Sequence, residues 1–122
     1  MSIPVYIVDD DIIFAEVVEI YFNSLPEFSA LAFSSSHVAL SCILAKPPSV
    51  LILDIMMPEM HGDELAERIC EAGINCPIIV MTGLLSPDEA RHKNYRIGNR
   101  VVVGKPVPLP VLATLVHQAL GA

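Results

Sequence analysis

The chain has 122 residues, of which 53% are hydrophobic and 17% charged, with a formal net charge of −7. That length fits one domain, spanning 1–122, with a real core, and the composition excludes a disordered chain. The acidic balance argues against direct binding to duplex DNA, which needs surplus Lys and Arg, and no apolar run reaches the roughly 18 residues needed to span a bilayer.

Met1 to Pro4 has no basic start of the kind a signal peptide needs. Cys42, Cys70 and Cys76 form no CxxC pair, so buried, reduced thiols and a cytoplasmic location are expected.

The first element is the apolar run "VYIV" (5–8), followed at once by Asp9, Asp10 and Asp11. Phe14, Val17, Val18 and Tyr21 then follow the spacing of one helix face. "FSALAF" (28–33) alternates and reads as an edge strand, and Val38 to Ala45 as a helix. "LILDI" (51–55) is a buried strand; Asp63 to Ala72 is a helix that Gly73 is placed to stop. "PIIVMT" (77–82) is the next strand. Residues 87–97 make the poorest helix, with only Ala90, Tyr95 and Ile97 as apolar surface. "RVVVG" (100–104) and a helix carrying Leu112, Leu115, Val116 and Ala119 complete the pattern. The alternation is (βα)5, which implies a doubly wound α/β sandwich. In such sheets the ligand site lies at the C-terminal ends of the strands.

Five side chains fall at those ends: Asp9 and Asp10 after the first strand, Asp54 in the third, Thr82 in the fourth and Lys105 after the fifth. Each has a bland reading taken alone. The aspartates could cap a helix, Asp54 could start a turn before Pro58, Thr82 could satisfy a loop amide, and Lys105 could be one solvated charge. At a single predicted ligand edge, the bland reading needs four coincidences. The convergence also makes chemical sense. Clustered carboxylates suit Mg²⁺, a carboxylate beside it can attack phosphorus, and an ammonium and a hydroxyl can neutralise phosphoryl oxygens.

"VDDD", "LDIMMPEMHG", "MTG" and "GKP", in that order, resemble the receiver domain of two-component response regulators over essentially the whole chain. The resemblance implies a flavodoxin-like, five-stranded parallel sheet of order 2-1-3-4-5. It implies that Asp54 is the phosphoacceptor and that Asp9 and Asp10 form the Mg²⁺ pocket, Asp10 as the direct ligand. The backbone carbonyl of Met56 would complete the protein's share of the metal shell. Thr82 would be the switch hydroxyl, Lys105 the phosphoryl contact, and Gly83 a small residue whose amide meets the phosphoryl group. Lys105–Pro106 should be cis. Asp11 carries no ligand role and reads as a helix start. In receivers, the residues two after the Asp and two after the Thr flank the approach of the hydrolytic water; here both are apolar, Met56 and Leu84. One departure stands out: three residues before the lysine, where receivers usually carry an aromatic or His, this chain has Val102.

The resemblance further implies a phosphoacceptor in a two-component phosphorelay, not a turnover enzyme. Its partners would be a histidine kinase or histidine phosphotransfer protein, with an output domain or downstream protein regulated in turn. No membrane contact is expected. A dimer could form through the face of the fourth helix, fifth strand and fifth helix of the pattern. A haloacid-dehalogenase-like phosphatase shares the Asp, Thr and Lys but wants a second Asp where Met56 stands; an unphosphorylated interaction domain would not need the acidic set. Arg91, Lys93, Arg96 and Arg100 read as a solvated face ahead of a docking patch for an acidic partner. His37, His61, His92 and His117 show no metal-ligand spacing. Met57 is expected in the core and Met56 at the site mouth.

Overall fold

The computed structural model describes residues 2–55, 60–83, 96–97 and 100–121. In chain order the elements are β1 (Ile3–Val8), α1 (Ile12–Asn23), β2 (Phe28–Phe33), α2 (Ser36–Ala45), β3 (Val50–Asp54), α3 (Gly62–Glu71), β4 (Ile78–Thr82), β5 (Arg96–Ile97), β6 (Arg100–Gly104) and α4 (Leu109–Gly121). The sheet order is β2-β1-β3-β4-β6-β5. The five parallel strands take the expected order, with β6 as the fifth.

Every residue of β3 and β4 is buried, as continuous apolar runs require of strands covered on both faces. Alternate side chains go to opposite faces. Tyr6, Val8, Leu51, Leu53, Ile78 and Val80 pack with α2 and α3. Val5, Ile7, Val50, Ile52, Ile79 and Met81 pack with α1 and α4. The two layers hold the C-terminal ends of β1, β3, β4 and β6 side by side at one edge.

Local chemistry fixes the element ends. Asp11 is the N-cap of α1 and its side chain accepts from the Phe14 amide at 3.2 Å, so its reading as a helix start fits. Gly73, at φ 82°, follows α3; its amide bonds to the Cys70 carbonyl and the Ile74 amide to that of Ile69, a Schellman closure. β2 is an edge strand, and α1 side chains occupy three of its backbone groups. Asn23 exchanges two hydrogen bonds with Ala30, at 2.7 and 3.1 Å, and Glu19 accepts from the Ala32 amide at 2.7 Å.

Several expectations need correction. The inward stripe of α1 is Ala15, Val18 and Phe22, spaced i, i+3, i+7, and Val17 is 45% exposed at its margin. Residues 96–97 do not end a helix but form β5, antiparallel to β6. The missed signal is the dipeptide Gly98-Asn99, a composition that favours a tight turn, between the paired residues Ile97 and Arg100. The rest of the expected helix at 87–97 lies outside the described residues. Of the three thiols only Cys76 is buried, with burial raising its pKa; Cys70, on the outer side of α3, is exposed. Among the described residues, no helix is long and apolar enough to cross a membrane.

Candidate functional site

Asp9, Asp10 and Asp54 each bring a carboxylate oxygen to within 4.8 Å of the others. Asp9 leaves β1 fully buried. Its Oδ1 accepts from the Asp11 amide at 2.9 Å and its Oδ2 from the Lys105 ammonium at 3.1 Å. Asp10, next in the chain, points to the exposed mouth of the same cluster. The opening run of three aspartates thus divides into a buried partner for lysine, an open carboxylate and a cap.

Asp54 ends β3 and is 5% exposed. Its strand end is clamped from two sides. The Ile55 amide donates to the Met81 carbonyl at 3.1 Å, and the Gly62 amide donates to the Ile55 carbonyl at 2.9 Å. Gly62 is there because nothing larger fits: a Cβ would lie 2.5 Å from the Asp54 carbonyl oxygen. The motif glycine eight residues after the aspartate is therefore a close-approach residue for the strand end that carries it.

Thr82 ends β4 and is 3% exposed. Its carbonyl accepts from the Lys105 amide at 2.7 Å, which ties the lysine's backbone to the threonine's. Lys105–Pro106 is cis. The Lys105 ammonium also lies 3.5 Å from Asp54 Oδ1. Burial alone would lower the lysine's pKa, but the hydrogen bond and charge of Asp9, with those of Asp54, outweigh it and lift the pKa above the ordinary value. The ammonium is therefore charged throughout the physiological range.

The structure thus brings Asp9, Asp10, Asp54 and Lys105 together and places Thr82 at the neighbouring strand end. Gly83 is exposed just beyond Thr82, with open space where a Cβ would stand. Met56, Met57 and Leu84 lie outside the described residues, as do Arg91, His92 and Lys93. Val102 sits on β6 opposite Val80 and packs partly buried against the α2–α3 side of the core. His37, His61 and His117 are exposed, and His117 pairs with Glu27 at 3.1 Å. One site neighbour escaped the sequence reading. Phe14, assigned there only to a helix face, lays its ring 5.1 Å from the Lys105 ammonium.

The family model for the response regulator receiver domain matches residues 5–117. The chain belongs to this family. Such receiver domains are signalling domains of two-component systems. This receiver domain is 34% identical over 91 residues to a probable cyclic di-GMP phosphodiesterase of Vibrio cholerae, covering 73% of the chain and 20% of that protein. It is 31% identical over 103 residues to the Regulator of RpoS of Escherichia coli, covering 84% of the chain and 30% of that protein. The chain thus spans less than a third of either relative. The CheY-like receiver domain protein of Methanospirillum hungatei superposes with a TM-score of 0.84 at 20% identity, over 99% of this chain and 95% of that one. That likeness concerns the fold.

Proposed function

We propose that this receiver domain accepts a phosphoryl group on Asp54 from a phosphohistidine partner, with Mg²⁺, and changes its surface to regulate an output. The observation that carries this reading is the meeting of Asp9, Asp10 and Asp54 around one point with the Lys105 ammonium beside them. The donor set fits the ion: three carboxylates, all hard oxygen ligands, with no nitrogen or sulfur among them. When bound, Mg²⁺ would offset the carboxylates' mutual repulsion and the charge of the incoming phosphoryl oxygens.

The chain's own groups do the rest. A carboxylate oxygen of Asp54 forms an O–P bond as the partner's N–P bond breaks, and the leaving imidazole keeps the electron pair. Lys105 donates from its ammonium to a phosphoryl oxygen. Thr82 donates its hydroxyl to another, and the Gly83 amide extends the same cradle. Asp9 holds Lys105 in place before and after transfer, because its carboxylate is not consumed. Once formed, the phosphoryl group draws Thr82 and the chain after it. With Val102 in place of an aromatic, no ring on β6 can follow, so the surface change travels through Thr82 and the following loop. A cytoplasmic location and a histidine kinase or phosphotransfer protein as donor belong to the same reading.

The test separates an acceptor from a phosphatase. Incubated with Mg²⁺ and either a small acyl phosphate or a generic phosphate ester, an acceptor takes one labile phosphoryl group per chain from the first. Sustained phosphate release from the ester, without an adduct, would mark a phosphatase and end this reading.

A further inference from the structure

Four contacts close a ring of residues around Lys105. The Asp11 amide donates to Asp9 Oδ1, and the Phe14 amide donates to Asp11 Oδ1. The Phe14 ring meets the Lys105 ammonium at 5.1 Å, and that ammonium donates to Asp9 Oδ2 at 3.1 Å. We propose that Phe14 is a positioning residue for Lys105, its ring holding the ammonium where it can meet the phosphoryl group on Asp54. The proposal rests on the phosphoacceptor reading of Asp54.

A lysine on a flexible four-carbon stem gives up rotamer freedom to stay in one place. The Lys105 side chain is 28% exposed, so water competes for it. Its ammonium has three N–H donors. The carboxylates of Asp9 and Asp54 engage it on one side. A third carboxylate or a carbonyl would fix the ammonium further but would take the last donor. An aromatic face attracts the cation through its quadrupole and holds any N–H aimed at it only weakly, so a phosphoryl oxygen can still take that donor. Phe14 therefore fixes the ammonium while leaving a donor for a phosphoryl oxygen. The ring is packed partly buried against the α1–α4 side of the core, and the Asp11 cap holds the backbone that carries it. Leu in its place would keep an apolar wall but lose the cation's attraction. Tyr or Trp would keep both.

The test compares the native chain with Phe14→Leu, Phe14→Trp and Asp54→Asn. The first readout is the rate of adduct formation with a small acyl phosphate and Mg²⁺. Phe14→Leu should slow it roughly three- to tenfold, and Phe14→Trp should restore at least half of the native rate. The second readout needs no metal or donor. The Lys105 ε-methylene protons should show an upfield ring-current shift in the native chain and in Phe14→Trp, and lose it in Phe14→Leu. Thermal melts of the variants separate loss of fold from loss of contact. A Phe14→Leu chain that folds and labels at the native rate overturns the proposal. So does a Phe14→Trp chain no faster than Phe14→Leu. A native chain that forms no adduct, or forms it equally as Asp54→Asn, instead rejects the phosphoacceptor reading on which the proposal stands.

Discussion

The Lys105 ammonium lies 3.1 Å from Asp9 Oδ2 across a sequence separation of 96 residues. Asp9 is fully buried, so the contact compensates a carboxylate that water cannot reach. It also links β1 to the turn after β6 across the two intervening strands.

Removing the lysine should therefore cost stability as well as function. Lys105→Met leaves the buried Asp9 without its cation, and a loss of about 2–4 kcal/mol is expected, below the full cost for a buried pair because the lysine is partly exposed. Added Mg²⁺ should recover part of it. Urea unfolding at neutral pH, with and without Mg²⁺, measures both. A variant as stable as the native chain would mean that Asp9 is compensated by other means.

The same contact sets a pH signature. The folded chain lifts the Lys105 pKa above the ordinary 10.5. The group's contribution is thus fully present below 10.5 and is lost as pH rises through the higher folded value. The native chain should lose its stability advantage over Lys105→Met between about pH 10.5 and the folded pKa. Tyr6, whose pKa burial also raises, weakens both chains alike at alkaline pH. Denaturant unfolding of the pair at pH 9 and pH 11.5 checks the sign.

Gly62→Ala should disturb the site without touching a charge. The new methyl would press on the Asp54 carbonyl and on Ile55 Cα, which is backbone and cannot swing aside. An overpacking cost of about 1–3 kcal/mol is expected, with slower labelling of Asp54. Melting temperature and adduct rate measured on one preparation would test this; unchanged values for both would contradict it.

The α1 side chains that close the β2 edge make a separate prediction. Asn23→Ala together with Glu19→Ala removes three side-chain bonds to Ala30 and Ala32. Because Asn23 is exposed, the combined loss should be about 1–2 kcal/mol. The freed edge should also exchange faster and tend to pair with other chains. Hydrogen exchange at the Ala30 and Ala32 amides is the local readout, and native-like protection there would refute the clamp.

How much of this could be read from the sequence depends on distance along the chain. Asp9, Asp54, Thr82 and Lys105 were legible because apolar runs mark strands, and a parallel sheet puts strand ends together. Phe14 was not legible. Its spacing fits a helix face equally well whether the ring meets the core or the site, and only the turn set by Asp11 decides. Gly62 was visible as part of a motif, but its reason, the approach of its Cα to the Asp54 carbonyl, is three-dimensional. β5 was missed because a weak helical pattern ran through Ile97 and hid the Gly98-Asn99 signal. Val17 was placed inside by helical spacing and Cys70 by residue type, where helix rotation puts both outside.

The resemblance to other receivers implies that Met56 and Leu84 flank the phosphoryl group, and on that reading a long-lived adduct is predicted. Met56 and Leu84 offer no polar group to hold a hydrolytic water, and a Met side chain can cover the site. Met56→Asn and Leu84→Glu, singly and together, should speed phosphate loss several-fold. Rates equal to the native chain would show that these positions do not set the lifetime.

The central claim is that Asp54 is the single phosphoryl acceptor of an acid-lined, cation-dependent site. Intact mass after incubation with a small acyl phosphate tests it most directly, run with Mg²⁺, with a chelator, and on Asp54→Asn. One phosphoryl adduct on the native chain with Mg²⁺, and none in the other two cases, is the predicted result. An adduct of equal yield on Asp54→Asn, or one indifferent to chelation, would contradict it.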